Sequence, residues 1–365
     1  MKYFLIAGEK SGDLHASNLI KELRNQEPKS KFRGYGGDKM EEAGMELLGH
    51  YAEMAFMGFV EVVTNLKTIR NRMKACKEEM IRYLPDIVIL IDSPGFNLRM
   101  AKFAKERGFS VAYYIAPKAW AWNEGRVEKI RKYVDQLFCI LPFEVSFFSD
   151  RGVKCDYVGN PVLEAISNYS ALSIDRNPDT KIVGCLPGSR KQEVASSLDI
   201  IVSLAKRNPQ LFFLVAAVNN LPYDLYNSAR NLPNVEVLEE RTYDILNSAD
   251  AAVVVSGTAT LETALFEVPQ VVIYKANRIT YLIARWLVKI KFISLVNLIN
   301  NQATVREMIQ EDFTVDNLEE ELQKLLFNKV YRAGIINGYQ LMAKQIGDQK
   351  ASRTTAKAII GEFGT

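Results

Sequence analysis

Short runs of β-branched and aromatic residues alternate with longer amphipathic stretches along almost the whole chain. In the first half the runs fall at residues 3–7, 31–35, 87–91, 111–115, 136–140 and 155–158. Helical stretches at 13–25, 97–107 and 126–133 separate them. The runs are continuously apolar, with no polar alternation, which marks strands buried on both faces. Such strands, separated by helices, form parallel sheets covered on either side. The second half repeats the pattern at 182–186, 211–216, 235–238, 251–255 and 271–274. From about 315 to 364 the pattern is helical, with no strand signal.

A chain of 365 residues exceeds one ordinary core and points to two domains. Gly159-Asn160-Pro161, followed by the Asn-, Asp- and Pro-bearing tract 167–180, is the natural boundary. The expected organisation is α/β: two doubly wound, Rossmann-like domains, 1–165 and 166–345. A C-terminal helix at 346–365 is left to pack on the second domain or cross back to the first. Two such domains facing each other leave a cleft at the carboxyl ends of both sheets, where ligands of open α/β sheets bind.

Composition excludes several classes. Apolar residues at 48% and charged residues at 24% fit a soluble globular protein and not a disordered one. The 46 basic and 43 acidic side chains leave a net charge of +3, far from the basic surface of a duplex binder, so no nucleic acid is expected. The two histidines, His15 and His50, weaken a His-rich metal site or a Ser-His-Asp triad; no metal and no cofactor are expected. Cys76, Cys139, Cys155 and Cys185 form no CxxC pair, so neither a zinc site nor a disulfide is expected. Cys139 and Cys185 sit in apolar runs and read as small buried hydrophobes. The N-terminus turns polar after seven residues and reads as a strand, not a signal peptide. No run reaches about 18 uninterrupted apolar residues, so no transmembrane helix and a cytoplasmic location are expected.

The chemistry belongs in the loops after the strands. The first, Gly8-Glu9-Lys10-Ser11-Gly12-Asp13, opens a helix with two glycines and a Ser/Asp cap. It is either a capped turn or a site loop with Glu9 at the strand end. It is not GxGxxG and not a Walker A loop, which counts against a dinucleotide. Gly34-Tyr35-Gly36-Gly37 follows the second strand and is a second candidate wall. Asp92 ends an apolar strand, where a partly desolvated carboxylate suits a general base; the alternative is a cap for the following helix. Trp120 and Trp122 follow another strand and either line an apolar or sugar-binding wall or anchor the core. In the second half Gly188-Ser189-Arg190 and Ser256-Gly257-Thr258-Ala259 each end a strand and start a helix. Either loop alone is a capped turn; together they favour a nucleotide-diphosphate site, with Arg190 as clamp and Glu262 accepting from ribose hydroxyls.

Residues 62, 66, 69, 73, 76 and 80 (Val62, Leu66, Ile69, Met73, Cys76, Met80) form one helical stripe. Lys67, Arg70, Arg72, Lys74, Lys77 and Arg82 outnumber Glu78 and Glu79 beside it. Such a helix suits an anionic membrane surface, or its stripe faces the core. The run 54–60, with Met57 and Phe59, is the candidate acyl-contacting part. A second basic-apolar stretch, 279–299 with Trp286 and Lys289, is left as membrane contact, subunit interface or core.

The motifs AGEKSGD, MGFVEV, IDSPGFN, APKAWAW, LPFE, VGNP, LPGSR, SGTATLE and SLVNL, in that order between residues 7 and 298, resemble those of the lipid-A-disaccharide synthase family. Members are inverting glycosyltransferases of the GT-B fold. The resemblance covers all but the C-terminal helices. It implies transfer from UDP-2,3-diacylglucosamine to 2,3-diacylglucosamine 1-phosphate, giving a β-1,6-linked disaccharide 1-phosphate and UDP. The family's DAPDFN aspartate matches Asp92, so both lines of reasoning meet there; Glu9 is the second candidate base. Gly188, Ser189, Arg190, Ser256, Gly257, Thr258, Ala259, Glu262 and Asn297 match the donor side. Ser11, Met57, Phe59, Trp120 and Trp122 are the candidates on the acceptor side. The resemblance also implies peripheral attachment to the inner face of the cytoplasmic membrane of a Gram-negative bacterium, and leaves a homodimer open. Three departures stand out: Gly95 replaces a family Asp, SLVN replaces SLPN before Asn297, and Asn160 replaces a family His. A different GT-B enzyme, such as a UDP-sugar transferase or UDP-GlcNAc epimerase with a soluble substrate, would keep the donor clamp without the apolar 54–63 stretch or the paired tryptophans.

Overall fold

The computed structural model describes residues 1–54, 66–122, 124–170, 172, 174, 179–276 and 290–364. It divides into two compact units, Met1–Pro161 with Asp348–Thr365, and Val162–Gly347. The first unit holds β1 (Lys2–Ala7), β2 (Lys31–Gly36), β3 (Glu46–His50), β4 (Ile87–Ile91), β5 (Ser110–Tyr114), β6 (Gln136–Cys139) and β7 (Asp156–Tyr157). They form one parallel sheet in the order β3-β2-β1-β4-β5-β6-β7. Tyr3, Leu5 and Ala7 of β1 pack on one face with Leu19 and Leu23 of helix Lys10–Gln26. Phe4 and Ile6 pack on the other face with Cys76 and Met80. Both faces are covered, which is why β1 has no polar alternation.

Helix Ala351–Phe363 belongs to this first unit, where Ala351, Ala356 and Ile359 join the core beside Leu19 and Leu23. The second unit holds β8 (Ile182–Leu186), β9 (Phe212–Ala217), β10 (Val235–Glu239), β11 (Ala251–Val255), β12 (Gln270–Tyr274) and β13 (Glu307–Ile309). Their order is β10-β9-β8-β11-β12-β13, again all parallel. The two strands without a sequence signal are β3, an edge strand that is exposed or half-buried throughout, and β13, only three residues long.

Two expectations need correction or decision. Cys139 and Cys155 form a disulfide, with Cα atoms 6.2 Å apart, so Cys139 is buried but not a lone hydrophobe. The pairing comes from topology: β6 and β7 are parallel neighbours, and Phe138 opposes Asp156. Cys76 and Cys185 are free and buried. The stripe of helix Leu66–Tyr83 faces the core, with Cys76 and Met80 buried and Met73 packed against them. Lys67, Arg70, Lys74 and Arg82 are left exposed. Val62, Met57 and Phe59, and most of the 279–299 stretch, lie outside the described residues. No described helix is long and apolar enough to cross a membrane.

Candidate active site

In a parallel sheet all carboxyl ends lie at one edge, so adjacent strands deliver their loops side by side. In the first unit Ala7 pairs with Ile91 and Ile91 with Tyr114. The loops carrying Glu9, Asp92 and Trp120 are therefore neighbours. Gly8 shows how closely: a Cβ there would lie 2.3 Å from the Ser93 hydroxyl. Glu9 occupies the N-cap position of helix Lys10–Gln26 and is half-buried, and Ser11 is exposed. Asp13 has a different task. Its buried carboxylate accepts the N–H groups of Gly37 (2.8 Å), Lys39 (3.2 Å) and Met40 (3.1 Å). It caps the next helix, Asp38–Glu42, and so ties the second glycine cluster to the first loop.

Asp92 and Ser93 are consecutive non-glycine residues in the left-handed region, with φ of 48° and 41°. Such backbone persists only when its surroundings hold it. The Asp92 N–H donates to the Tyr114 carbonyl at 3.3 Å. The Asp92 carbonyl accepts from the Asn97 amide at 2.9 Å and from the Tyr113 hydroxyl. Asn97 is fully buried and also donates to the Ile91 carbonyl at 3.0 Å. The N-cap of the following helix, Pro94–Glu106, falls on Ser93, one residue past Asp92. Arg126, half-buried at the start of helix Gly125–Tyr133, lies within electrostatic reach of Asp92 and Tyr113. Burial lowers the Arg126 guanidinium from its ordinary value, while Tyr113 and Asp92 act the other way. The same burial, reinforced by Asp92, holds the Tyr113 hydroxyl far above its usual range.

Trp120 lies on the short helix Ala119–Trp122. Its indole N–H donates to the Glu144 carboxylate at 2.9 Å, and its ring meets Phe143 edge-on at 5.0 Å. This gives Trp120 an anchor; the side chain of Trp122 lies outside the described residues. Asn160, buried in the hinge motif, donates to the Ile140 carbonyl at 3.0 Å.

In the second unit β8 and β11 are neighbours, so their loops share an edge. Gly188 takes φ of 104°, a conformation that suits glycine. Ser189 and Arg190 are exposed before helix Lys191–Arg207. Glu193 engages both: it accepts the Ser189 N–H at 3.2 Å and an Arg190 guanidinium N–H at 2.9 Å. Gly257 and Thr258 are exposed at the start of helix Thr258–Leu265, with open space where a Gly257 side chain would stand. Ser256 donates to the Ile293 carbonyl at 2.8 Å. Ala259 follows, half-buried in the helix's first turn. Glu262 accepts from the Tyr243 hydroxyl at 2.9 Å; burial raises its carboxyl above the ordinary value, against that hydrogen bond.

Asn297, a donor-side candidate, has a structural task. It is buried, and its amide donates to the Val305 carbonyl and Glu307, each at 2.9 Å. Its carbonyl accepts the N–H groups of Thr304 (2.8 Å) and Val305 (2.9 Å). Two donors and two acceptors saturate the side chain. These bonds fold the turn 304–307. Asn97, Tyr113, Arg126, Glu144 and Glu193 are the site-shaping residues to which sequence reasoning gave no role. Two of them stood inside quoted motifs, Asn97 in IDSPGFN and Glu144 in LPFE.

Two parallel sheets, each flanked by helices and each carrying its loops side by side at its strand ends, define the GT-B class of glycosyltransferases and epimerases. Solved structures agree on the fold. A UDP-GlcNAc 2-epimerase from Neisseria meningitidis, bound to UDP-GlcNAc, matches with a TM-score of 0.67 at 14% identity, over 99% of each chain. A calicheamicin glycosyltransferase matches with a TM-score of 0.64 at 14% identity, over 100% of this chain and 99% of that one. A family model described as lipid-A-disaccharide synthetase matches residues 3–359. The lipid-A-disaccharide synthase of Trichlorobacter lovleyi is 35% identical, covering 98% of this chain and 97% of that protein. The enzyme of the same name from Coxiella burnetii is 36% identical over 97% and 96%, and that of Geobacter sulfurreducens 33% over 100% and 97%. The chain belongs to the lipid-A-disaccharide synthases, glycosyltransferases of lipid A synthesis.

Proposed function

We propose that the chain transfers the sugar of UDP-2,3-diacylglucosamine to the 6-hydroxyl of 2,3-diacylglucosamine 1-phosphate with inversion. The acceptor oxygen bonds to the anomeric carbon while Asp92 takes its proton. The bond from that carbon to UDP breaks, and UDP leaves with the electron pair. Arg190 and the N–H groups of Gly257–Ala259 stabilise the charge on the leaving diphosphate. Glu262 accepts from the ribose. The observation that carries the reading is Asp92 itself, a carboxylate residue in left-handed backbone at the end of the fully buried strand β4, beside Arg126 and Tyr113. Glu9, on the loop that touches Ser93, is the alternative base.

The acyl chains of both substrates call for contact with an anionic membrane, here the inner face of the cytoplasmic membrane. The exposed basic face of helix Leu66–Tyr83 supports this reading. So does a groove of about 470 Å³ lined by Met73, Lys77, Arg99, Lys102, Phe103 and Lys129 among others.

The test is to incubate the protein and its Asp92→Asn variant with both substrates in EDTA. The natural chain yields the disaccharide 1-phosphate. The variant loses roughly a hundredfold or more in turnover, the range for loss of a general base, and keeps its UDP affinity. No product, or a strict metal requirement, overturns the reaction; near-normal turnover of the variant moves the base to Glu9.

A further inference from the structure

Glu144 is a carboxylate that the reaction above does not use. It is 1% exposed. One oxygen accepts the N–H groups of Leu141 (3.1 Å) and Ile140 (3.3 Å), which caps helix Pro142–Ser149. The other accepts the indole N–H of Trp120 at 2.9 Å. The capping bonds need no tryptophan. The indole bond is of another kind, because it joins the loop after β6 to the loop after β5. Phe143, the neighbour of Glu144, holds the same ring edge-on.

The held loop begins at Ile115, a β-branched residue with φ of 65°. That conformation is a genuine outlier for such a side chain and must be held from outside. It stands directly beside the Asp92 loop, since Tyr114 pairs with Ile91 and accepts from the Asp92 N–H. We infer that Glu144 is a positioning residue: through the Trp120 indole it fixes the loop 115–122 beside Asp92 and so sets how the acceptor sugar is presented. This rests on the reading of Asp92 as the base.

The charge of Glu144 matters to the clamp, because only the carboxylate accepts all three bonds without carrying a competing proton. Burial raises its pKa to about 7, against the lowering effects of Trp120, the Leu141 amide, Lys118 and the Ile140 amide. Tyr157 of β7, the neighbour of β6 in the sheet, is a further titratable group that feels the Glu144 charge. The clamp is therefore fully engaged above neutrality and loosens as the pH falls through that value.

The test uses fluorescence and kinetics together. The chain has three tryptophans; with Trp122→Phe and Trp286→Phe, Trp120 is the single indole. Its emission follows a titration with a midpoint near 7, the value set by Glu144, and Glu144→Gln abolishes it. In the otherwise natural chain, Trp120→Phe keeps the helix cap and an aromatic ring but removes the indole donor. It raises the KM for the acceptor about tenfold, the loss of one charge-assisted bond, and leaves the KM for the donor unchanged. The double variant Glu144→Gln/Trp120→Phe is then no worse than the poorer single variant. Emission independent of pH, equal effects on both substrates, or additive variants overturn the inference. Emission reads the clamp without turnover, so a failure of the Asp92 assignment leaves the titration intact and is told apart.

Discussion

Buried polar residues did most of the work that sequence reasoning could not assign. Asp92 stood out as a candidate because a carboxylate ending an apolar strand is visible on its own. Asn97 closed the quoted IDSPGFN motif, but its task was not legible: it donates to carbonyls of Ile91 and Asp92, and reaches toward Ile6, 91 residues away in the chain. Asn297 was legible as a motif residue, but its saturation by Thr304, Val305 and Glu307 depends on a turn no pattern announces. Glu144 has a consequence for stability at this scale. Its carboxyl rises from 4.5 to about 7 on folding, so between these values the folded protein holds a proton that the unfolded chain has released. Stability from this group accordingly falls as the pH rises through that window, and is restored below it. Denaturant unfolding of the natural chain and of Glu144→Gln across the window checks this. The difference in stability between the two varies with pH there and is constant outside; a difference that is flat throughout contradicts it.

At the scale of elements, periodicity identified a helical stripe over 62–80, within the segment 58–82, but not what that stripe meets. A stripe of Met73, Cys76 and Met80 satisfies a core and a bilayer equally well on paper. The sheet decides, because Phe4 and Ile6 of β1 need cover on that face and these residues supply it. The AGEKSGD loop has a similar lesson: Asp13 was the right residue type for a cap, but it caps the helix after β2, not its own. The core packing of helix Leu66–Tyr83 and its proposed membrane contact are separable by mutation. Met80→Ala leaves a cavity in the core and costs about 2–5 kcal/mol, without changing sedimentation with anionic liposomes. Reversing Lys67, Arg70 and Lys74 to Glu leaves stability within about 0.5 kcal/mol and abolishes low-salt sedimentation. If the charge reversals sediment like the natural chain, this face does not meet the membrane.

At the scale of the whole molecule, the repeat of strand and helix made two α/β units legible, because each needs its own sheet and core. What no local pattern contained was the ownership of the last helix. Ala351–Phe363 is helical by any reading, and its apolar positions fit more than one surface. In the structure Ala351, Ala356 and Ile359 close the face of the first sheet beside helix Lys10–Gln26. The first unit is thus discontinuous, built from residues at both ends of the sequence, while Val162–Gly347 is continuous. The second unit has all of its strands without the last helix; the first unit does not have all of its core. Ile359→Ala should remove about 2–5 kcal/mol of packing from the first unit alone. Hydrogen exchange locates that loss: β1 and β4 lose protection while β8 and β11 keep it. Removal of residues 348–365 exaggerates the same asymmetry, with the second unit still folding cooperatively. Equal loss of protection in both sheets would mean that the two units unfold as one, and that the last helix stabilises the chain as a whole.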